Sequence, residues 1–472
     1  LPDDHRLILD VTGIASWLGP AVGILRVEQE LATYAARHQP EVILAVFNAA
    51  SFHPLMPQAR DTLIGWRGAI DMSRAPGRPA RSGWRRWLPN RYPIVMALER
   101  ARLAHPGTRL AAVWGALQRA VLAVRRHNTP LVDAAGQRFD IVPFAEAVGP
   151  PLTLSARDQV LTVGSHRVAE HVDALAALQR ATGFALVAMC YDLIPLLLPH
   201  CFKAEDVAVF RHHWATLFPI CDTVLVTSAS AENDVRAHCA ASGLGVRRLA
   251  RVPLGYNPPA MTDATALPRP LEPGRFALFV GTIEPRKGHA VLVAAWRALL
   301  ARGVPQRAGF RLVFVGRAGW KMEALLREIA DESAFEGTLL HLSAATDATL
   351  AALYRGAAFC LYPSLYEGFG LPIVEAFAYG KPVIASTGGA VPETVGTFGP
   401  CLDPLDIGAW TEHIGAWIID RSEPDAIAAR LRIEFRHPSW AEAAPAILHA
   451  AKTGHSVLGQ GAGLVSGHVA NS

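Results

Sequence analysis

Residues 360–386 read CLYPSLYEGFGLPIVEAFAYGKPVIAS. The pattern predicts a strand over FCLYPS (359–364), a glycine turn at Gly368-Phe369-Gly370, a helix, and a second strand at PVIAS (382–386). Strands spaced this closely around one helix are the unit of a parallel sheet, because the helix carries the chain back to the starting edge. Pro372 suits the first helical turn, where its missing N–H costs nothing. Glu375 then falls about one turn into the helix, and Glu367 lies in the loop before it. The two acids therefore do not share a helical face, and each can meet a different part of a ligand resting on the helix N-terminus. Gly368 and Gly370 let main-chain N–H groups approach anionic oxygens. Carboxylates accept hydrogen bonds from sugar hydroxyls without a metal. A ligand bearing both phosphate and hydroxyls fits these residues. A well-capped helix with acids near its positive end is the plainer alternative.

The same alternation extends in both directions. Apolar runs at 7–11, 41–48, 159–164, 184–190 and 223–228 predict strands in the first half, and those at 276–281, 311–316, 338–343, 359–364 and 382–386 predict strands in the second. Helical stretches separate them, such as 23–38, where Ile24, Val27, Leu31 and Tyr34 recur at helical spacing. Two such arrays predict an α/β chain of two Rossmann-like domains with parallel sheets. A chain of 472 residues also exceeds the usual size of one core. The first domain is expected over 1–258 and the second over 272–430, joined through the Pro- and Gly-dense segment 253–274. Residues 453–472 are small and aperiodic and are expected to form a mobile tail.

Composition narrows the class. With 51% hydrophobic and 18% charged residues the chain is globular rather than disordered. A net charge of +4 is too small to imply a nucleic-acid partner. The six cysteines show no CxxC spacing, so free buried thiols are expected rather than a zinc site or a disulfide framework. LPDDHRLILD lacks the basic start and apolar core of a signal peptide. The most apolar window, 184–202, is broken by Asp192 and two prolines, so no membrane span is expected. One segment stands apart. Residues 60–126 hold 14 arginines against three acids, with Trp66, Trp84, Trp87 and Trp114, and are expected to be an insertion in the first domain. Its arginines are either simply solvated or form a peripheral membrane patch, since basic residues with interfacial Trp favour anionic headgroups.

FVGTIEPRKGHAVLVAAW (279–296) opens the second array with a strand ending at Gly281 and a helix beginning near Gly288. Ligands of open parallel sheets bind beyond the carboxyl ends of strands. Arg286 and Lys287 stand there, just ahead of a helix N-terminus, which suits a diphosphate. Two solvated loop cations are the alternative. Lys287 is one of only five lysines among 45 basic residues, which weighs slightly towards a role.

Taken in order and spacing, FVGTIEPRKG, YPSLYEGFGLPIVEA, GKPVIAS and GGAVPETVG resemble the retaining family-four glycosyltransferases of the GT-B fold, in which two Rossmann-like domains face each other across a cleft. The two glutamates with GFGLP between them are the most specific element. The resemblance is strong over about 270–450. It is looser in the first half, where 12–32, CYDLIP (190–195), 223–235 and 251–257 resemble bacterial polysaccharide members. RHPSWAEAAPAIL resembles the family's final helix, implying that 431–452 packs back on the first domain.

The resemblance implies that Arg286 and Lys287 hold the donor diphosphate. Glu367, with the backbone of Gly368, Phe369, Gly370 and Leu371, would hold the transferred sugar, and Glu375 the ribose hydroxyls. In this expectation the Arg-Lys pair stands at a distance from the two glutamates. Gly281 and Thr282 would border the phosphates, with Gly316, Arg317 and Leu342 near the nucleobase. Gly23 would approach the phosphates on closure, and Asp192 and His166 would serve the acceptor side. Two departures stand out: Thr282 replaces a frequent Arg, and Tyr191 replaces the His of a frequent His-Asp pair.

The implied activity is retaining transfer of a hexose or deoxyhexose, mannose-type favoured, from a nucleotide diphosphate sugar such as GDP-mannose. The acceptor would be a glycan or lipid-linked oligosaccharide of O-antigen (lipopolysaccharide), capsule or exopolysaccharide. No D-x-D motif is present, so no metal and no cofactor are expected. The expected location is cytoplasmic, with the inner face of the cytoplasmic membrane as a variant. A GT-B glycoside phosphorylase and a non-catalytic glycan-binding protein remain alternatives. A nucleic-acid reader is disfavoured, for lack of a reading module.

Overall fold

The computed structural model describes residues 6–17, 23–65, 68–72, 140–164, 169–258, 266–343 and 345–457, with isolated positions between 98 and 117. His166, most of the Arg- and Trp-rich segment and the end of the tail lie outside the described residues.

Two sheets organise the chain. The first runs in the order β3-β2-β1-β6-β7-β8-β9, built from β1 (Leu7–Asp10), β2 (Ile43–Asn48), β3 (Ser51–Pro54), β6 (Gln159–Thr162), β7 (Ala185–Cys190), β8 (Thr223–Val226) and β9 (Leu249–Arg251). All its pairings are parallel except the edge hairpin β2–β3, where Phe47 faces Phe52. The second, wholly parallel, runs β12-β11-β10-β13-β14-β15, from β10 (Phe276–Val280), β11 (Arg311–Val315), β12 (Leu339–Leu342), β13 (Phe359–Tyr362), β14 (Val383–Ser386) and β15 (Cys401–Leu402). A two-stranded parallel pair, β4 (Gly68–Asp71) and β5 (Asp140–Pro143), stands beside the first sheet.

The central strands are continuous apolar runs because helices cover both of their faces. LILD, FALFV and FCLY are almost entirely buried. One core fills the second sheet unit, and two line the opposite faces of the first. In each sheet the strand order reverses once, between β1 and β6 in the first and between β10 and β13 in the second. Such reversal points open a crevice beyond the carboxyl ends of the strands, where open parallel sheets bind ligands.

The helix Trp440–Thr453 returns from the second sheet unit to the first. Ser439 and Glu442 form a capping box at its start. Trp440, Ala443, Ala444, Ile447 and Leu448 are buried in the core that also holds Val27 and Leu31. Gln159 Nε2 donates to the Ala451 carbonyl at 2.9 Å, and Trp440 N–H donates to Asn257 Oδ1 at 3.1 Å. All six cysteines carry free thiols, and all but Cys401 are buried. No helix among the described residues is long and apolar enough to cross a membrane.

Trp440 is 4% exposed at the head of this returning helix. Trp440→Ala is therefore expected to cost about 3–5 kcal/mol, read as a lowered urea midpoint; an unchanged midpoint would show that the helix does not belong to the core.

Candidate active site

Beyond β10 the chain makes a short 3-10 turn, Pro285–Lys287, before the helix His289–Ala301. Beyond β13 it makes the loop that leads through Gly370 into the helix Leu371–Ala378. The reversal of strand order sets these loops side by side, and the Leu365 N–H donates to the Arg286 carbonyl at 2.7 Å. An ion cluster forms there. Arg286 Nη1 donates to Glu367 Oε2 at 2.9 Å, and Lys287 Nζ to Glu367 Oε1 at 2.6 Å. Glu284 completes it, with its Oε1 2.8 Å from Arg286 Nε. Lys287 Nζ also lies 5.5 Å from the centre of the Tyr362 ring. The Arg-Lys pair is therefore not distant from Glu367, as the sequence had suggested, but in direct contact with it. Linear spacing hid this, because β10 and β13 are neighbours in the sheet and far apart in the chain.

The charges are mutually sustained. Burial alone would raise the Glu367 carboxyl, but Arg286 and Lys287 outweigh it and hold it at about 2. Burial would lower the Arg286 guanidinium, but Glu367, Glu284 and Asp192 outweigh it and raise it. Burial and the neighbouring Arg286 lower the Lys287 ammonium, against the pull of Glu367. Burial pushes the Asp192 carboxyl up, opposed by Arg286. The cluster is thus a preorganised patch of two cations facing Asp192 of the first sheet unit. An anion with several oxygens could share or replace the carboxylate there.

The glycine turn is seated on the opposite wall of the cleft. A Cβ on Gly368 would lie 2.2 Å from the Tyr191 carbonyl oxygen, so only glycine permits this approach. The Gly368 carbonyl accepts from Ser228 Oγ at 2.8 Å, and Phe369 is buried in the first unit's core. Gly370, at φ 107°, opens the helix as its N-cap, a conformation that favours glycine. Leu371 packs at the edge of the same core.

Glu375 faces a different space. Tyr354 Oη donates to its Oε2 at 2.8 Å, and Tyr354 stacks on Tyr379 at 5.4 Å. These residues, with Arg26 and Tyr256 from the first sheet unit, line a small pocket between the two sheets. Burial raises the Glu375 carboxyl against the lowering effect of Tyr354 and Arg26.

The remaining expected residues fall into three places. Gly281, Thr282, Gly316 and Arg317 come together where the loops after β10 and β11 zip up, with Ile283 N–H donating to the Arg317 carbonyl at 3.0 Å. Leu342 is buried in the second core, so only its main chain borders these loops, where its carbonyl accepts from the Gly316 N–H at 2.9 Å. Gly23 is the exposed N-cap of Ile24–His38 at φ 55°. Asp192 caps the helix Ile194–Leu197, accepting from the Ile194 N–H at 3.0 Å.

Sequence reasoning missed Glu284, Arg26, Tyr256, Tyr354 and Tyr362. Glu284 carried a signal, as an acid two residues before the Arg-Lys pair. Tyr354 and Tyr362 sit in apolar runs and gave none, and Tyr256 was noted only within the stretch 251–257. Among the described residues no group of three or more His, Cys, Asp or Glu side chains could hold a metal ion.

Removing the shared carboxylate leaves two cations without their main counter-charge. Glu367→Ala is expected to cost the ligand-free protein about 3–5 kcal/mol, measured by urea unfolding at neutral pH. Because the folded-state pKa is depressed, the stabilisation is present above the unfolded value near 4.5 and fades as pH falls towards about 2. The gap between wild type and variant should therefore close in acid; a gap that widens in acid would contradict the ion cluster.

Residues 268–432 match the family of glycosyl transferases group 1. The O-antigen chain mannosyltransferase B of Escherichia coli is 36% identical over 165 residues, which cover 35% of this chain and 42% of that protein. The serotype-specific mannosyltransferase WbdA of Escherichia coli is 29% identical over 247 residues, covering 49% of this chain and 30% of that protein. The chain thus spans less than half the length of either. Among solved structures, sucrose-phosphate synthase from Thermosynechococcus elongatus aligns over 91% of this chain and 93% of its own, at 17% identity and a TM-score of 0.50. Anabaena Alr3699/HepE in complex with UDP aligns over the same shares at 14% identity and a TM-score of 0.50, and at these identities the likeness is one of fold. The second sheet unit, residues 268–432, is thus similar to the glycosyl transferases group 1 family, within a chain of GT-B architecture.

Proposed function

We propose that this chain is a retaining glycosyltransferase of bacterial surface-polysaccharide synthesis, moving a hexose or deoxyhexose, with mannose favoured, from a nucleotide diphosphate sugar to a glycan acceptor. One observation carries the reading. Two part-buried cations and a buried carboxylate converge at the strand-order reversal of the second sheet, opposite Asp192. The names of the E. coli relatives supply the preference for mannose and for O-antigen chains.

In this reading the donor diphosphate takes the place beside Arg286 and Lys287, which stabilise the charge that develops on the leaving group. Glu367 is freed to meet the hydroxyls of the transferred sugar. Glu375, in its separate pocket, takes the ribose hydroxyls. Glu367 is engaged with two cations, and no other carboxylate is assigned as a covalent nucleophile. Attack from the leaving-group face, with the phosphate accepting the acceptor's proton, is the favoured course. Two cations in the phosphate position supply the charge that a metal would otherwise bring, so the transfer is proposed to need none.

A panel of GDP-, UDP- and dTDP-sugars, with and without EDTA, tests this reading. Transfer is expected with one of them, and equally in EDTA. Glu375→Ala should mainly weaken nucleotide binding measured by calorimetry, and Glu367→Gln should mainly reduce kcat. Full activity in both variants would contradict the assignment. The acceptor is proposed to be lipid-linked, with the segment 60–126 touching anionic lipid. Flotation with phosphatidylglycerol vesicles checks that contact, and its absence removes it.

A further inference from the structure

The second sheet's reversal point is occupied by the ion cluster. At the first sheet's reversal point, between β1 and β6, sits the carboxyl of Glu28, close to that of Asp10. Glu28, on the inner face of the helix Ile24–His38, is 0% exposed. Its Oε1 accepts the Ile14 N–H at 2.9 Å, and the Gly13 amide bonds to the carboxyl as well. Its Oε2 lies 2.3 Å from where a Cβ on Gly13 would stand and 2.6 Å from where one on Gly164 would stand. Gly13 follows β1 and Gly164 follows β6, so both strand ends are cleared of side chains to admit this group. Oε2 itself has no hydrogen-bond partner. A leucine at 28 would continue the stripe of Val27 and Leu31 without needing the room. A buried, half-satisfied carboxyl costs about 1–3 kcal/mol, so packing alone does not account for it.

The surrounding contacts show what the carboxyl secures. Asp10 Oδ1 accepts the Thr12 N–H at 3.0 Å, and Thr12 Oγ1 accepts the Phe47 N–H at 2.7 Å. Tyr191 Oη donates to the Val163 carbonyl at 2.8 Å, one residue before Gly164. The ends of β1, β2, β6 and β7 are thereby tied into one wall, and Glu28 is the piece that joins the turn after β1 to the end of β6. That wall lies on the first-unit side of the cleft, and Tyr191–Asp192 meets the glycine turn of the donor side.

We propose that Glu28 is a positioning residue for the acceptor, locking the turn Asp10–Ile14 against the end of β6 and so fixing the wall on which the acceptor hydroxyl is oriented. This rests on the transferase reading above. Asp10 from β1 and Tyr191 after β7 are the described titratable groups that face the carboxyl. Burial, and then the charge of Asp10, push it to about 8, so it holds its proton at neutral pH. A neutral group that can accept two backbone N–H bonds should therefore replace it.

The test compares full-length wild type, Glu28→Gln and Glu28→Leu by hydrogen exchange over residues 10–16 and by transfer from GDP-mannose to octyl α-mannoside. Glu28→Leu should lose exchange protection in the turn and lower kcat/KM for the acceptor on the order of 10²-fold, with GDP affinity by calorimetry unchanged. Glu28→Gln should restore both. The acceptor KM of wild type should rise as pH passes about 8, where Glu28 ionises, while that of Glu28→Gln stays level. Unchanged protection in Glu28→Leu overturns the proposal, as does lost protection with an unaltered acceptor KM. If wild type transfers no sugar to any acceptor, the transferase reading fails, and the exchange data alone decide whether Glu28 locks the turn.

Discussion

A carboxylate clamped between two cations, at the point where a parallel sheet reverses its strand order, is the interaction on which the rest of this structure depends. Burying three charges is tolerable only when they neutralise one another. The Arg286–Glu367–Lys287 cluster therefore demands that the loops after β10 and β13 be neighbours. That adjacency in turn requires the reversal, which β10–β13 pairing delivers. The cluster also holds two cations balanced by Glu367 and Glu284, a preorganised arrangement in which an anion could take a carboxylate's place.

The loop that carries Glu367 has a second duty. Tyr366 Oη donates to the Asp234 carboxylate at 2.8 Å, and Gly368 and Phe369 seat the next residues against the first sheet unit. Glu393 adds a contact by accepting the Ala229 and Ser230 N–H groups at the start of the helix Ala229–Ser242. The proposed donor-side chemistry and the seating of one unit on the other thus share a few consecutive residues. Closure of the cleft and occupation of the proposed phosphate position are thereby mutually dependent.

Much of this was legible in the residues. The ten long apolar runs all became strands, because buried parallel strands need side chains that pack on both faces. The unread strands are β3, β9 and β15, short edges whose sequences SFHP, LAR and CL carry no period, and the separate pair β4 and β5, GAID and DIVP. The placement of Glu375 within the helix and Glu367 before it followed from Pro372. Their partners did not follow, since the cluster joins residues 80 positions apart. Glu28 could have been noticed, as an acid on the apolar stripe beside Val27 and Leu31. What remained illegible was its surroundings, because nothing in a linear sequence shows Gly13 and Gly164 converging on one carboxyl.

In the proposed reaction the cluster turns over a nucleotide diphosphate sugar with retention at the anomeric carbon. The most direct measurement follows the reaction of the purified chain by NMR, counting nucleoside diphosphate released against glycosidic bonds formed and reading the anomeric configuration of the product. One nucleoside diphosphate per bond, with the donor's own configuration kept, is the predicted result. An inverted product, or sugar phosphate formed from a glycan and inorganic phosphate without nucleotide, would contradict it.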